Sequence, residues 1–177
     1  ELINGMSGDN QTELAGTYNN ISTIYQDMGE IEKALEYQQK ALLIHETILE
    51  EKHPYTATSY NNMSEIHRVM GNMSKAIDYQ EKALKIREET LGDNHPDLAI
   101  GYNNISRIYK ELKECQKAKE FIEKAILIWE KSDYHKKELF EGIEYLDRIK
   151  HNIKKECKIK VLKKKGRYCK DWKSIKD

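Results

Sequence analysis

Only two prolines, Pro54 and Pro96, interrupt this chain, and they stand 42 residues apart. Proline breaks helices wherever it falls inside one, so almost the whole chain is open to helix. Apolar runs are short, and none approaches the roughly 18 residues that a membrane-spanning helix needs. The start, Glu1-Leu2-Ile3-Asn4-Gly5, has neither the basic region nor the apolar region of a signal peptide. Cysteine is scarce and odd in number: Cys115, Cys157 and Cys169 form no C-x-x-C pair. They suit neither a disulfide framework nor a zinc site, so Cys115 is expected to pack and the other two to be free thiols in a reducing compartment. Catalytic motifs are missing too, with no P-loop, GxGxxG, HExxH or GxSxG. The six histidines do not cluster, and His53, His95 and His135 fall at turn positions. At 34% charged residues, chance carboxylate pairs are certain, so none can be named as an acid/base couple. No catalytic residue, metal or cofactor is expected.

What the chain has in plenty is tyrosine, asparagine and period. Tyr18-Asn19-Asn20-Ile21 returns as Tyr60-Asn61-Asn62-Met63 and as Tyr102-Asn103-Asn104-Ile105, each 42 residues after the last. A fixed period of this size marks a repeat array. Around the motif recur Ala15, Ala57 and Ala99, then Ser22, Ser64 and Ser106, then Tyr25, His67 and Tyr109. Gly29 and Gly71 follow, with Lys113 standing where a third glycine is expected. Ala34, Ala76 and Ala118 come next, then Tyr37, Tyr79 and Phe121, then Ala41, Ala83 and Ala125.

Apolar residues from Tyr18 to Tyr25 fall at helical spacing, and those from Ile31 to Ile48 do the same. Glycine between them readily takes the left-handed conformation that ends a helix. Each unit therefore reads as helix A, a tight turn and a longer helix B. Pro54 and Pro96 suit the first turn of the next helix A, where a missing N–H costs nothing. One hairpin cannot bury its apolar face alone, so neighbours must stack into a superhelix. The fold class is all-α, with three repeats over about 12–53, 54–95 and 96–135 inside residues 8–135. Residues 1–7 read as the end of a preceding helix B, because Gly8-Asp9-Asn10 matches Gly92-Asp93-Asn94 at a shift of 84. Residues 136–165 read as a capping helix and 166–177 as a disordered basic tail.

Net charge is zero but divided. Residues 150–177 hold 12 Lys/Arg against 3 Asp/Glu, and residues 1–149 hold 18 against 27. The basic end, with Lys154, Lys155, Lys158, Lys160, Lys163, Lys164, Lys165 and Arg167, leaves nucleic acid or an anionic membrane surface as a lesser reading. Asn10, Asn20, Asn62, Asn72 and Asn104 each begin a glycosylation sequon, and glycans inside the helices would block stacking. A cytoplasmic location is therefore expected.

The pattern resembles the tetratricopeptide repeat through Tyr18, Ser22, Tyr25, Gly29, Ala34, Ala41 and their equivalents. The 42-residue period, the His-Pro before helix A, the Asn-Asn pair and Lys82-Ala83-Leu84-Lys85-Ile86-Arg87-Glu88 look like the kinesin-light-chain type. The resemblance covers residues 8–131. It implies a right-handed α-solenoid whose A helices line a concave groove, a module without catalysis that binds a peptide or a partner helix. Helix A asparagines contact the peptide backbone in several family members. Carried over, those positions are Asn20, Asn62 and Asn104, with Asn19, Asn61 and Asn103 beside them and Thr23, Glu65 and Arg107 a turn further on. An asparagine amide both donates and accepts, so it can pair with a peptide group in either direction. The second asparagine of each pair is favoured for the groove, and the first is left between groove and a bond to a neighbouring helix. Arg68, Arg107 and Lys110 lend the groove positive charge, which suits a segment with an acidic residue. Two other readings stand beside this one: the regulatory part of a larger enzyme or signalling protein, and a basic-tailed nucleic-acid adaptor.

Overall fold

Seven helices and no strand make up the described residues of the computed structural model, which are 7–49, 52–131 and 136–164. They are α1 (Gly8–Asp27), α2 (Ile31–Ile48), α3 (Pro54–Val69), α4 (Met73–Leu91), α5 (Pro96–Glu111), α6 (Cys115–Trp129) and α7 (Lys136–Lys164). The chain pairs α1 with α2, α3 with α4 and α5 with α6 as hairpins, and α2 packs on α3, α4 on α5 and α6 on α7. This serial contact, each helix against its neighbours in sequence, is the geometry of a helical-repeat solenoid. The expected helix remnant in residues 1–7 (all but Ser7) and the tail 166–177 lie outside the described residues.

The turns explain the hairpins. Gly29 and Gly71 have φ of 77° and 78°, in the left-handed region that a Cβ makes costly. The N–H of Glu30 reaches the carbonyl of Tyr25 at 2.9 Å, and that of Gly29 reaches Gln26 at 2.9 Å, which closes the end of α1. Lys113 takes the same conformation at φ 62°, and the N–H of Glu114 bonds the carbonyl of Tyr109 at 2.9 Å. The third turn thus keeps its geometry with a lysine in a place that favours glycine. At the other end of the unit, the Nδ1 atoms of His53 and His95 accept from the N–H groups of Tyr55 and Asp97, both at 3.2 Å. Each imidazole caps a helix whose first residue is proline, so one backbone donor is satisfied and another is missing by nature.

Within each hairpin a serine hydroxyl donates across to an alanine carbonyl: Ser22 to Ala34 at 2.8 Å, Ser64 to Ala76 at 2.7 Å, and Ser106 to Ala118 at 2.6 Å. The small side chains let the two backbones come this close. Beside them, Tyr25 stacks on Tyr37, His67 on Tyr79 and Tyr109 on Phe121, with ring centroids 5.5, 5.4 and 5.6 Å apart. Lys40, Lys82 and Lys124 place their ammonium groups over Tyr37, Tyr79 and Phe121. Long aliphatic stems thereby cover rings that water would otherwise reach.

Consecutive repeats are joined at one position of helix B. His45 shares a 2.8 Å hydrogen bond with the Ser59 hydroxyl; 42 residues on, Arg87 donates to the Asp97 carbonyl at 3.2 Å; 42 further, Trp129 is 2% exposed. Tyr60 and Tyr102 also donate across these joints, to Glu46 at 2.6 Å and Glu88 at 2.7 Å. Burial and then Glu88 push the Tyr102 phenol up to about 12.

Candidate functional site

On α1, α3 and α5 three sets of residues share one face, following the i, i+4, i+7 rule: Asn19, Asn61 and Asn103; Thr23, Glu65 and Arg107; Gln26, Arg68 and Lys110. Their surroundings differ from repeat to repeat. Gln38, fully buried on α2, donates from Nε2 to Asn19 Oδ1 at 2.7 Å. Gln80 does the same to Asn61 Oδ1 at 3.4 Å, and Asn104 Nδ2 donates to that same oxygen at 3.0 Å. In the third hairpin the glutamine is replaced by Ile122, which has nothing to donate. Asn103 therefore keeps its amide unpaired among the described residues, as do Asn20 and Asn62. Asn104 spends its NH2 on tying α5 to α3, while Thr23 donates to the Asn19 carbonyl of its own helix at 3.1 Å.

The cations divide the same way. Arg68 is forked onto Glu65, with Nε to Oε2 at 2.9 Å and Nη2 to Oε1 at 2.6 Å, and its Nη1 reaches Glu111 on the next repeat at 2.5 Å. Its side chain is 16% exposed, so the pair is worth more than a surface salt bridge. The Arg68 bond, with Arg107 adding its field, holds the Glu65 carboxyl below its usual range. Arg68 is thus a tie between repeats with its charge offset by two carboxylates. Arg107 is exposed and makes no hydrogen bond or ion pair among the described residues. Lys110 sits 4.8 Å from the Tyr145 ring centroid.

Asn103, Arg107 and Lys110 meet in a cleft of about 410 Å³ between α5 and α7. Ile100 and Trp129 give it an apolar floor, and Glu138, Gly142 and Tyr145 of α7 form the opposite wall. Gly142 brings the α7 backbone against the indole, because a Cβ there would lie 2.8 Å from Trp129 Cζ3. The Tyr145 hydroxyl donates to the Ser106 carbonyl at 3.3 Å, which fixes α7 against α5; burial is the main cause of its raised pKa. Sequence reasoning missed the whole α7 wall. The exchange of Gln38 and Gln80 for Ile122 was the one readable sign that the third asparagine differs from the other two.

Among the described residues no three His, Cys, Asp or Glu stand where they could hold a metal ion, and no helix is long and apolar enough to cross a membrane. Cys115 is buried and forms no disulfide among the described residues. Of the basic C-terminal end, Lys150 and Lys155 are exposed on α7.

Comparison with known structures gives the same architecture. The chain is similar to a putative kinesin light chain with nearly identical TPR-like repeats from Podosopora anserina, at 20% identity and TM-score 0.72, over 80% of this chain and 67% of that one. It is similar to BtubC (BKLC) from P. vanneervenii at 19% identity and TM-score 0.66, over 93% and 69% of the two chains. The N-terminal domain of stress-induced protein-1 from C. elegans superposes at 16% identity and TM-score 0.57, over 77% and 97%. A search of curated proteins gives no match. At these identities the likeness speaks for the fold. The sequence profile of the tetratricopeptide repeat matches residues 13–87 and 55–131, which together span most of the chain. On that match, and on three hairpins built alike, the chain belongs to the tetratricopeptide repeat family.

Proposed function

We propose that this protein is a non-catalytic interaction module that holds a peptide or a partner helix along the concave side of α1, α3 and α5. Tetratricopeptide repeats typically mediate protein–protein interaction, which supports the general class. The observation that carries the finer reading is the unpaired amide of Asn103 on the face it shares with exposed Arg107; Asn20 and Asn62, one position on from that row, keep unpaired amides among the described residues too. Such amides pair with a peptide backbone without demanding its sequence. Arg107, exposed and unpaired, supplies the charge for an acidic residue of the bound segment. A cytoplasmic location, with Cys115 reduced, fits this reading.

Affinity capture from the source organism, comparing wild type with a variant carrying Asn20, Asn62 and Asn103 all changed to Ala, tests it. The bound proteins are identified and their crosslinks mapped. Loss of partners that crosslink to α1, α3 and α5 supports the groove; equal recovery of the same partners by both proteins overturns it. Arg107→Glu is expected to weaken the captured interaction about tenfold or more, as the loss of one charge-assisted hydrogen bond does.

A further inference from the structure

Between α3 and α5 the space on the first-helix face is closed by the protein itself, through Arg68 with Glu111 and Asn104 with Asn61. Between α5 and α7 it stays open. The cleft there holds Arg107 on one wall and Glu138 on the other, and no ion pair joins them. Opposite charges that face a shared space without meeting call for a ligand that brings both counter-charges.

The other lining residues narrow that ligand. Of the charged lining residues, Lys110 is engaged over the Tyr145 ring, Glu111 by Arg68 and Glu141 in an interaction of its own, so Arg107 and Glu138 are the ones left to recognise charge. The floor is apolar, with Ile100 39% exposed beside the indole of Trp129. Trp129 stands where His45 and Arg87 stand in the earlier repeats, yet those two have hydrogen-bond partners and Trp129 Nε1 is buried without an acceptor among the described residues. Asn103 adds an amide freed by Ile122. A volume of about 410 Å³ is within the range of ligand pockets and holds more than one side chain.

We propose, as a deepening of the groove reading and resting on it, that the α5–α7 cleft selects a bipolar peptide segment. An acidic residue of that segment meets Arg107, an apolar residue rests on the Ile100–Trp129 floor, and a lysine or arginine meets Glu138. Asn103 bonds the peptide backbone between them. The occupant is thus read for the order of its charges as well as their presence, and an all-acidic segment is repelled by the α7 wall. The opposed charges favour a peptide over a free anion, and continuity with the faces of α1 and α3 favours a chain over an isolated amino acid.

The test is fluorescence polarisation of the full chain with four series of labelled hexapeptides around a central leucine: acid-then-base, base-then-acid, acid at both ends, and uncharged. Each is measured with wild type, Glu138→Gln, Glu138→Lys, and the double swap Arg107→Glu with Glu138→Lys. Circular dichroism checks that each variant keeps its helix content. One bipolar order is expected to bind about tenfold tighter than the all-acidic series, a ratio that corresponds to one charge-assisted contact. Glu138→Lys is expected to shift preference to the all-acidic series, and the double swap to reverse the preferred order. Equal binding of bipolar and all-acidic peptides to wild type, or unchanged preference in Glu138→Lys, overturns the bipolar site while leaving the groove standing. Binding of no series overturns both. Competition by millimolar free glutamate or lysine as strong as by the peptides also overturns it, because the site would then take single amino acids.

Discussion

Ile24, Ile66 and Ile108 occupy one position of the repeat, yet Ile24 is 57% exposed while the others are 0% and 1% exposed. The first hairpin and the third are built on the same template, but they do not share the same company. Around the first, the buried cluster is Ala15, Ala41 and Ile44, with Leu14, Tyr18 and Ile48 against it. Around the third, it runs from Leu84 through Leu98, Ile105 and Ile122 to Ile149 on α7. The polar ties differ likewise. Arg68–Glu111 joins α3 to α5, whereas the equivalent positions between α1 and α3 hold Gln26 and Val69. A repeat therefore takes its shape from its own sequence and much of its stability from what is stacked on it.

The sharpest way to break this comparison is to cut the same side chain in both places. Ile108→Ala should cost about 3 kcal/mol in urea unfolding, the usual loss for a fully buried isoleucine. Ile24→Ala should cost under about 1 kcal/mol, since its methyls already meet water. Equal losses would mean that the two hairpins are supported alike. Next in size is the polar tie. Arg68→Met strands Glu65 and Glu111, half-exposed carboxylates, and should cost about 1–2 kcal/mol. Hydrogen exchange should report the change in α3 and α5 and leave α1 unmoved.

Acid sharpens the contrast differently. Burial is the larger cause lowering the pKa of His45, with His53 adding to it; burial and then Lys75 lower that of His67. An imidazole whose pKa is lowered by folding stabilises the fold above the unfolded value. That contribution is lost as pH falls from about 6.5 toward the folded value. The thermal midpoint should therefore drop across that window. A His45→Gln, His67→Tyr double variant should flatten the profile, because Tyr25 and Tyr109 already show that tyrosine fits the second position. The corresponding joint at Arg87 has no such titration and should hold. An unchanged profile in the double variant would place the acid sensitivity elsewhere.

The smallest effect is expected at the turns. Lys113→Gly should stabilise by about 0.5–1 kcal/mol in thermal melts, and Gly71→Ala should destabilise by a similar amount. If Lys113→Gly lost stability instead, the lysine side chain would be contributing more than its backbone conformation costs.

Much of the fold was legible in one dimension. Gly29, Gly71, Pro54 and Pro96 punctuate the chain by known backbone preferences, and the 42-residue recurrence of small residues marks the close helix contacts. The site was only partly legible. That Asn19, Thr23 and Gln26 share a face follows from helical geometry alone. Which asparagine is free does not, because it depends on whether the residue 19 positions later is Gln38, Gln80 or Ile122. The commitment of Arg68 to Glu111 spans 43 residues, one off the period, and no local pattern announces it. Gly142 and Tyr145 lie beyond the recurring motif, so the period could not point to their wall of the cleft.

The joints between hairpins have a consequence for the order of the units. Each hairpin closes itself with the same serine-to-alanine bond, so any one of them could in principle be copied or moved. The joints are not interchangeable: His45 meets Ser59, Arg87 meets the Asp97 carbonyl, and Trp129 meets Gly142. Copying residues 54–95 in place would set Arg87 against Ser59, and swapping the second and third units would set Trp129 against it. The three units are spelled alike, and these joints act as keys that admit one sequence of assembly.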